Sequence, residues 1–439
     1  MNVLALALLL LIAANTCRAF GWFSADDDDP TEQPLRTPQQ RVCLCMIMAN
    51  ESRVIERTLA SVRPLVHGWY ITDTGSKDDS MELVRRFWAK HPSVPGLLGE
   101  DVWTDHFATN RNAAQARVPR ECDYILWSDA DDLWIVPEHY TMPPLTESGY
   151  HIATRSGTIT YPRPFLLRND GAWKWHGQRH EVPMHRDGHR VSETLPEVIN
   201  QPMQDSARGR DPKKFHKDAA LLHKEYKLDP SPRNAFYLGN SWNDAGDAER
   251  AIKWYAISVA RGWWAEERGV AQYKRARLMQ NAMPKYTLSE VAEAYSYAYA
   301  LNPSRIEPLL RLSSLYRGNQ RYAEAYIVAT LGVQRLAVTP RADAPVPAED
   351  GNPRLFVENW IYEYGMEMEL AATAYYVGEY RQCAQISARQ VQLPQLSGGV
   401  GDGASAYRNK RECERLHTQQ ELDATAAERA KMSKLLAWV

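Results

Sequence analysis

The stretch Tyr124 to Trp134, YILWSDADDLW, constrains the fold more than any other. Tyr124, Ile125, Leu126 and Trp127 have the length and residue types of a strand buried on both faces, and such strands belong to parallel sheets covered by helices. Asp129, Asp131 and Asp132 follow at its carboxyl end. In an extended chain, residues two apart point to the same side, so Asp129 and Asp131 can aim both carboxylates at one point. Two hard oxygen donors suit Mg²⁺ or Mn²⁺, which bind few protein carboxylates and complete their shell with water and phosphate oxygens. A metal carrying a diphosphate is therefore the expected tenant, at the strand ends where open α/β sheets bind their ligands. The competing reading is an acidic turn that caps a helix starting at Leu133.

At 439 residues the chain is expected to hold two or three domains. Charged residues at 24% and a net charge of -2 argue against nucleic acid or an anionic membrane surface as the main partner. Met1 to Ala19 reads as a secretory signal, although no Lys or Arg precedes its apolar run. That run, Val3 to Ala14, makes a helix of only about 18 Å against a hydrocarbon core of roughly 30 Å. Cleavage is thus expected over anchoring, which places the mature protein in the lumen of the endoplasmic reticulum or Golgi, or outside the cell. Residues 20–40, with Asp26 to Asp29 and Pro30, Pro34 and Pro38, read as a solvated linker. Of six cysteines, Cys17 leaves with the signal, Cys43 and Cys45 are expected as packed thiols on a buried strand, and Cys383 with Cys413 is a candidate bridge. The sequon Asn50-Glu51-Ser52 falls inside a motif needed for chemistry and is expected unmodified.

In chain order, Val42 to Met48 is a buried strand, Glu51 to Val62 a helix, Trp69 to Thr72 a second strand ending at Asp73-Thr74-Gly75-Ser76, and Asp78 to Lys90 a second helix. Alternation of strand and helix predicts a largely parallel sheet. Asn50, Asp73 and Asp129 then lie on one edge, with Phe107 to Val118 supplying Asn110-Arg111-Asn112 beside it. Taken singly, Asp73 suits an ordinary turn and Arg111 a surface ion pair. Convergence at successive strand ends favours a site.

Together, Cys43-Leu-Cys-Met-Ile-Met-Ala-Asn50-Glu51, Asp73-Thr-Gly-Ser-Lys-Asp78, Asn110-Arg111-Asn112 and Leu126-Trp-Ser-Asp129-Ala-Asp131-Asp132 resemble, in order and spacing, the motifs of family-2 glycosyltransferases. The resemblance implies a GT-A fold with a Rossmann-like mixed sheet over residues 41–205, a nucleotide-sugar donor (a UDP-sugar foremost), and inversion at the anomeric carbon. It implies that Asp73 holds the nucleobase, that Asn50, Glu51 and Arg111 line the nucleotide pocket, and that Asp129 and Asp131 hold metal and ribose-diphosphate. No Gln-x-x-Arg-Trp segment marks a processive synthase, so one sugar per encounter is expected.

Tyr150 to Leu167 alternates like antiparallel strands, with Pro162 and Pro164 confining one to an edge. Trp173-Lys-Trp-His176-Gly-Gln-Arg-His180-Glu181 resembles the Trp…His-Glu segment of such transferases. By that resemblance His180 is a candidate metal ligand and Glu181 the candidate general base, with Asp132 as the alternative base. His176, His180, His185 and His189 invite a zinc reading, but Met184 stands where a His-Glu-x-x-His helix needs its second histidine, and Pro183 breaks that helix.

Asp205 to Asp211 reads as a hinge, after which the periodicity turns helical. Ala235, Leu238, Gly239, Trp242, Ala251 and Tyr255 fall at tetratricopeptide intervals, with weaker copies at Leu312, Tyr316, Ala325 and from Leu370 to Cys383. An all-α, tetratricopeptide-like domain is expected over residues 212–395, then a Gly-rich break and a terminal helix over 396–439. The insert from Ala337 to Pro353 is expected as a loop. The helices either support the sheet domain or present a groove to a peptide or protein acceptor. The expected whole is a metal-dependent transferase of one sugar to a glycan or protein hydroxyl. The rival is a non-catalytic repeat adaptor with a vestigial nucleotide-sugar-binding domain.

Overall fold

The computed structural model describes residues 40–157, 159–189, 191, 193–338, 354–394 and 402–436. The expected signal, nearly all of the linker, most of the 337–353 insert and the start of the Gly-rich break lie outside them.

Strand β1 (Val42–Met48) is apolar along its whole length and buried, as a central strand must be. It pairs in parallel with β2 (Gly68–Asp73) on one side and β4 (Tyr124–Trp127) on the other, and β3 (Gly96–Glu100) adds to β2. Between them run α1 (Ile55–Val62), α2 (Ser80–Ala89) and α3 (Phe107–Gln115). Helix α1 buries Ile55, Thr58, Leu59 and Val62, which share one face at helical spacing. Leu133 does not start a helix, because β5 (Asp132–Ile135) follows β4 at once.

Next come β6 (Gly149–Ser156), β7 (Ile159–Arg168), the two-stranded sheet of β8 (Trp173–His176) with β9 (Val182–His185), and β10 (Glu193–Pro202). The main sheet runs β3-β2-β1-β4-β7-β6-β10-β5 and is mixed, since β7 is antiparallel to both β4 and β6. Pro162 and Pro164 therefore do not lie on an edge strand. They are tolerated because β4 pairs only with Leu166 to Arg168, which leaves the earlier part of β7 without a ladder on that side.

Cys43 is not a packed thiol: it is bonded to Cys122. The parallel register sets Val42 opposite Tyr124, so the residue two before β4 is carried beside β1. Cys45 stays free and buried, and the Cys383–Cys413 bridge is present.

Beyond β10 the chain is helical: α4 (Lys214–Leu228), α5 (Pro232–Asp244), α6 (Ala248–Arg261), α7 (Ala265–Asn281), α8 (Leu288–Leu301), α9 (Glu307–Gly318), α10 (Tyr322–Val338), α11 (Met366–Tyr376), α12 (Tyr380–Gln390) and α13 (Asp402–Leu436). Successive helices pack as hairpins, α5 on α6, α7 on α8, α9 on α10 and α11 on α12. Gly239 permits the first close approach, since a Cβ there would meet the Tyr255 ring at 2.5 Å. Gly246 turns the chain between those helices at φ 80. The α7/α8 hairpin was not among the expected repeats. Residues 402–405, expected within the Gly-rich break, are instead the start of α13, and the Cys383–Cys413 bridge ties α13 to α12.

Candidate functional site

The parallel register of β1, β2 and β4 brings Asn50, Asp73 and Asp129 to one sheet edge, as the sequence predicts. Asp73 is 2% exposed. Its Oδ1 accepts the N–H groups of Gly75 and Ser76 at 2.9 and 2.8 Å, while its Oδ2 is buried with no partner. Asn50 turns there at φ 60, its N–H donating to Ser76 Oγ and its Oδ1 accepting from Lys77 N–H. Glu51 follows, with its own N–H on Ser80 Oγ at 2.7 Å. Burial pushes the Glu51 carboxyl up to about 7, against the pull of the Ala207 N–H.

Arg111, on α3, is the centre of the site. Its Nε donates to Glu181 Oε1 at 2.6 Å and its Nη2 to Asp129 Oδ1 at 2.7 Å, while Nη1 is buried without a partner. The guanidinium lies over Trp127 and Trp175, at 5.2 and 4.9 Å from their ring centres. Burial opposes its charge, but the carboxylates of Asp129 and Glu181 outweigh burial and keep it protonated. For Asp129, burial alone would raise the carboxyl. Arg111, then Arg163, outweigh it and take Asp129 down to about 2. Burial and then the Asp129 charge raise Asp131, which accepts the Ser206 N–H at 3.3 Å.

Asp132 offers no surface to an acceptor. It is fully buried, it accepts the Asp129 N–H at 2.9 Å, and burial and then the Asp129 charge push it up to about 7. It shapes the Asp-Ala-Asp turn from beneath. Nor does His180 join Asp129 and Asp131 as a ligand. Its backbone, at φ 52, turns the ring onto Tyr237 of α5, stacked at 4.0 Å. Among the described residues no group of three His, Cys, Asp or Glu side chains is placed to hold a metal ion. The Asp129 oxygens accept from Arg111 and Arg163 and Asp131 accepts the Ser206 N–H, so a small hard cation held by these two carboxylates would have to draw its remaining ligands from water and phosphate.

The expected hinge is instead a wall of the site. Arg57 grips Asp205 through both terminal nitrogens at 2.7 and 2.8 Å, Ser206 N–H donates to Asp131, and Ala207 N–H donates to Glu51 Oε2 at 3.1 Å. Arg208 and Arg179 both pair with Asp218 of α4, fixing the helices against the β8–β9 turn. Sequence reasoning missed this wall and also Arg163, whose Nη2 reaches Asp129 Oδ2 at 3.5 Å. The Arg57–Asp205 pair spans 148 positions, so no local pattern announces it.

No family model matches the chain. A curated TPR repeat-containing protein of Synechococcus elongatus is 32% identical over 155 residues, which is 32% of this chain and 35% of that protein. The chain thus spans about a third of the length of that relative. Among solved structures, a tetratricopeptide repeat protein from Parabacteroides merdae is similar at 14% identity and a TM-score of 0.32, over 50% of this chain and 73% of that one. A putative kinesin light chain with TPR-like repeats from Podosopora anserina is similar at 17% identity and a TM-score of 0.31, over 44% of this chain and 94% of that one. Scores this low carry no argument by themselves. The helical hairpins and the curated relative together define a tetratricopeptide-like repeat domain. Before it stands a mixed-sheet domain to which none of these relatives gives a name.

Proposed function

We propose that the sheet domain binds a nucleotide-sugar and that the chain is an inverting glycosyltransferase, moving one sugar to an acceptor hydroxyl. The observation that carries this reading is the unpartnered, buried Asp73 Oδ2 at the same sheet edge as Asp129. A buried acceptor without a donor is costly, and a nucleobase N–H would satisfy it. Asn50 and Glu51 would then flank the nucleotide.

Asp129 and Asp131 would hold a divalent cation, Mn²⁺ or Mg²⁺, which would neutralise charge on the departing diphosphate. Glu181 is the base: Arg111 orients its carboxylate for the acceptor proton. Two disulfides support an oxidising compartment such as the secretory lumen. Among the described residues, no helix is long and apolar enough to cross a membrane.

A second reading is the repeat adaptor, and the name of the curated relative favours it. It is supported by a groove of about 1000 Å³ between α9, α11 and α13, lined by Trp360 and the arginines 311, 317, 408, 411 and 415. Calorimetry of UDP, GDP and CDP with and without Mn²⁺ separates the two. Under the transferase reading one nucleotide binds, needs metal, and loses affinity in Asp73→Asn, which keeps the turn's acceptor but sets an N–H against the base. No binding of any nucleotide by the folded chain leaves the adaptor.

A further inference from the structure

The cleft where the sheet meets the helices carries cations that are only loosely engaged. Arg163, on β7, meets Asp129 at 3.5 Å and otherwise lies over the Phe165 ring. Arg233, at the start of α5, reaches Glu267 only at 3.8 Å, and donates to the His180 carbonyl and the Tyr237 hydroxyl at 3.4 and 3.3 Å. Lys274, on α7, spends one donor on Asn240 Oδ1 at 2.6 Å and faces the Phe356 ring at 4.4 Å.

Of these, Arg233 reaches His180 directly, through its carbonyl. Loss of hydration among the surrounding side chains, then the charges of Arg233, Arg163 and Lys274, hold the His180 imidazolium down at about 3, so the ring is neutral at any ordinary pH. The His180 residue is nevertheless exposed to solvent. Its ring, stacked on Tyr237 and with Arg233 on the backbone carbonyl, therefore lines a recess open to water. Burial also lowers the Lys274 ammonium to about 8, a desolvation cost that a bound anion would offset.

Aromatic rings wall the same recess. Tyr237 stacks on His180, and Phe356 lies 6.3 Å from Tyr161 and 6.2 Å from Phe236. Phe356 sits at φ 50, a left-handed backbone that a bulky residue rarely adopts. It is held there by Arg305, which donates to the carbonyls of both Leu355 and Phe356. Side chains from β7, α5, α7 and the 354–357 segment are thus gathered around one set of rings, although they come from both halves of the chain, and Arg163 of β7 reaches on to Asp129.

We propose that this recess is an acceptor subsite built for an anionic sugar, with Arg233 and Lys274 taking the negative group and the His180–Tyr237 stack and Phe356 lining the sugar. The assignment rests on the transferase reading for the word acceptor, but the binding chemistry stands without it. An anionic sugar carries either a carboxylate or a phosphate, and both offer oxygens to a guanidinium and an ammonium.

The test is calorimetric titration of the full chain with glucuronic acid, glucose 6-phosphate and glucose, alongside UDP with Mn²⁺. At least one anionic sugar should bind about tenfold or more tighter than glucose, as a charge-assisted contact requires. Which of the two binds identifies the carboxylate or the phosphate as the natural group. Arg233→Gln should erase that preference and leave UDP affinity unchanged. Lys274→Gln provides the same readout if the first variant folds poorly. Equal binding of the three sugars, absence of sugar binding, or a preference that survives both substitutions would overturn the proposal. Loss of UDP binding with the anionic preference intact would remove the transferase reading and keep the subsite; the reverse result would remove the subsite alone.

Discussion

Two arginines, each set between two carboxylates and each with only 4% of its side chain exposed, behave differently in the two halves of the molecule. In the helices, Arg305 donates to Glu266 at 2.5 Å, to Glu307 at 2.6 Å and to two backbone carbonyls. Its partners are also engaged: Glu266 accepts from Asn302 and Leu355, and Glu307 from the Tyr362 hydroxyl. At the sheet edge, Arg111 keeps an unpartnered Nη1, and Asp129 leaves 33% of its side chain open to water. A saturated buried cluster fixes structure, whereas an unsaturated one facing solvent is arranged for something that arrives.

Breaking the saturated cluster should cost most. Arg305→Met strands two buried carboxylates and should destabilise the chain by about 3–5 kcal/mol in denaturant unfolding. Arg111→Met should cost less, about 1–2 kcal/mol, because water can reach the freed Asp129, yet it should abolish nucleotide binding. Equal stability losses would break the comparison.

A smaller effect concerns pH. Asp132 titrates near 7 in the folded chain and at about 4 when unfolded, so its contribution is fully present below pH about 4 and is lost as pH rises through about 7. Asp132→Asn keeps an acceptor for the Asp129 N–H and should flatten stability across that window; an unchanged pH profile would show the group does not titrate there. The smallest effect is expected for Asp131→Asn, within about 0.5 kcal/mol, since its carboxylate is repelled by Asp129 and its bonds go to Ser206, for which an amide oxygen can substitute. A clear loss of stability would mean that Asp131 serves the fold more than a ligand.

The strand ends at Asn50, Asp73 and Asp129 were legible because each apolar run stops at a polar residue, and parallel pairing then fixes their common edge. The repeats were legible from small residues such as Gly239 at helical spacing. What stayed hidden depends on three-dimensional register. The Cys43–Cys122 bond follows from how β1 meets β4, and His180 faces Tyr237 because of one left-handed backbone position. The burial of Asp132 follows from β5 starting where a helix was an open alternative.

Residues 205 to 210 link β10 to α4, and they also close over Glu51 and Asp131. The two halves are therefore not interchangeable modules. A chimera that replaced the helices at this junction would remove part of the pocket wall even if both halves folded, and a chain cut there would lose the site before it lost either core. Inheritance of the pocket requires inheritance of the seam.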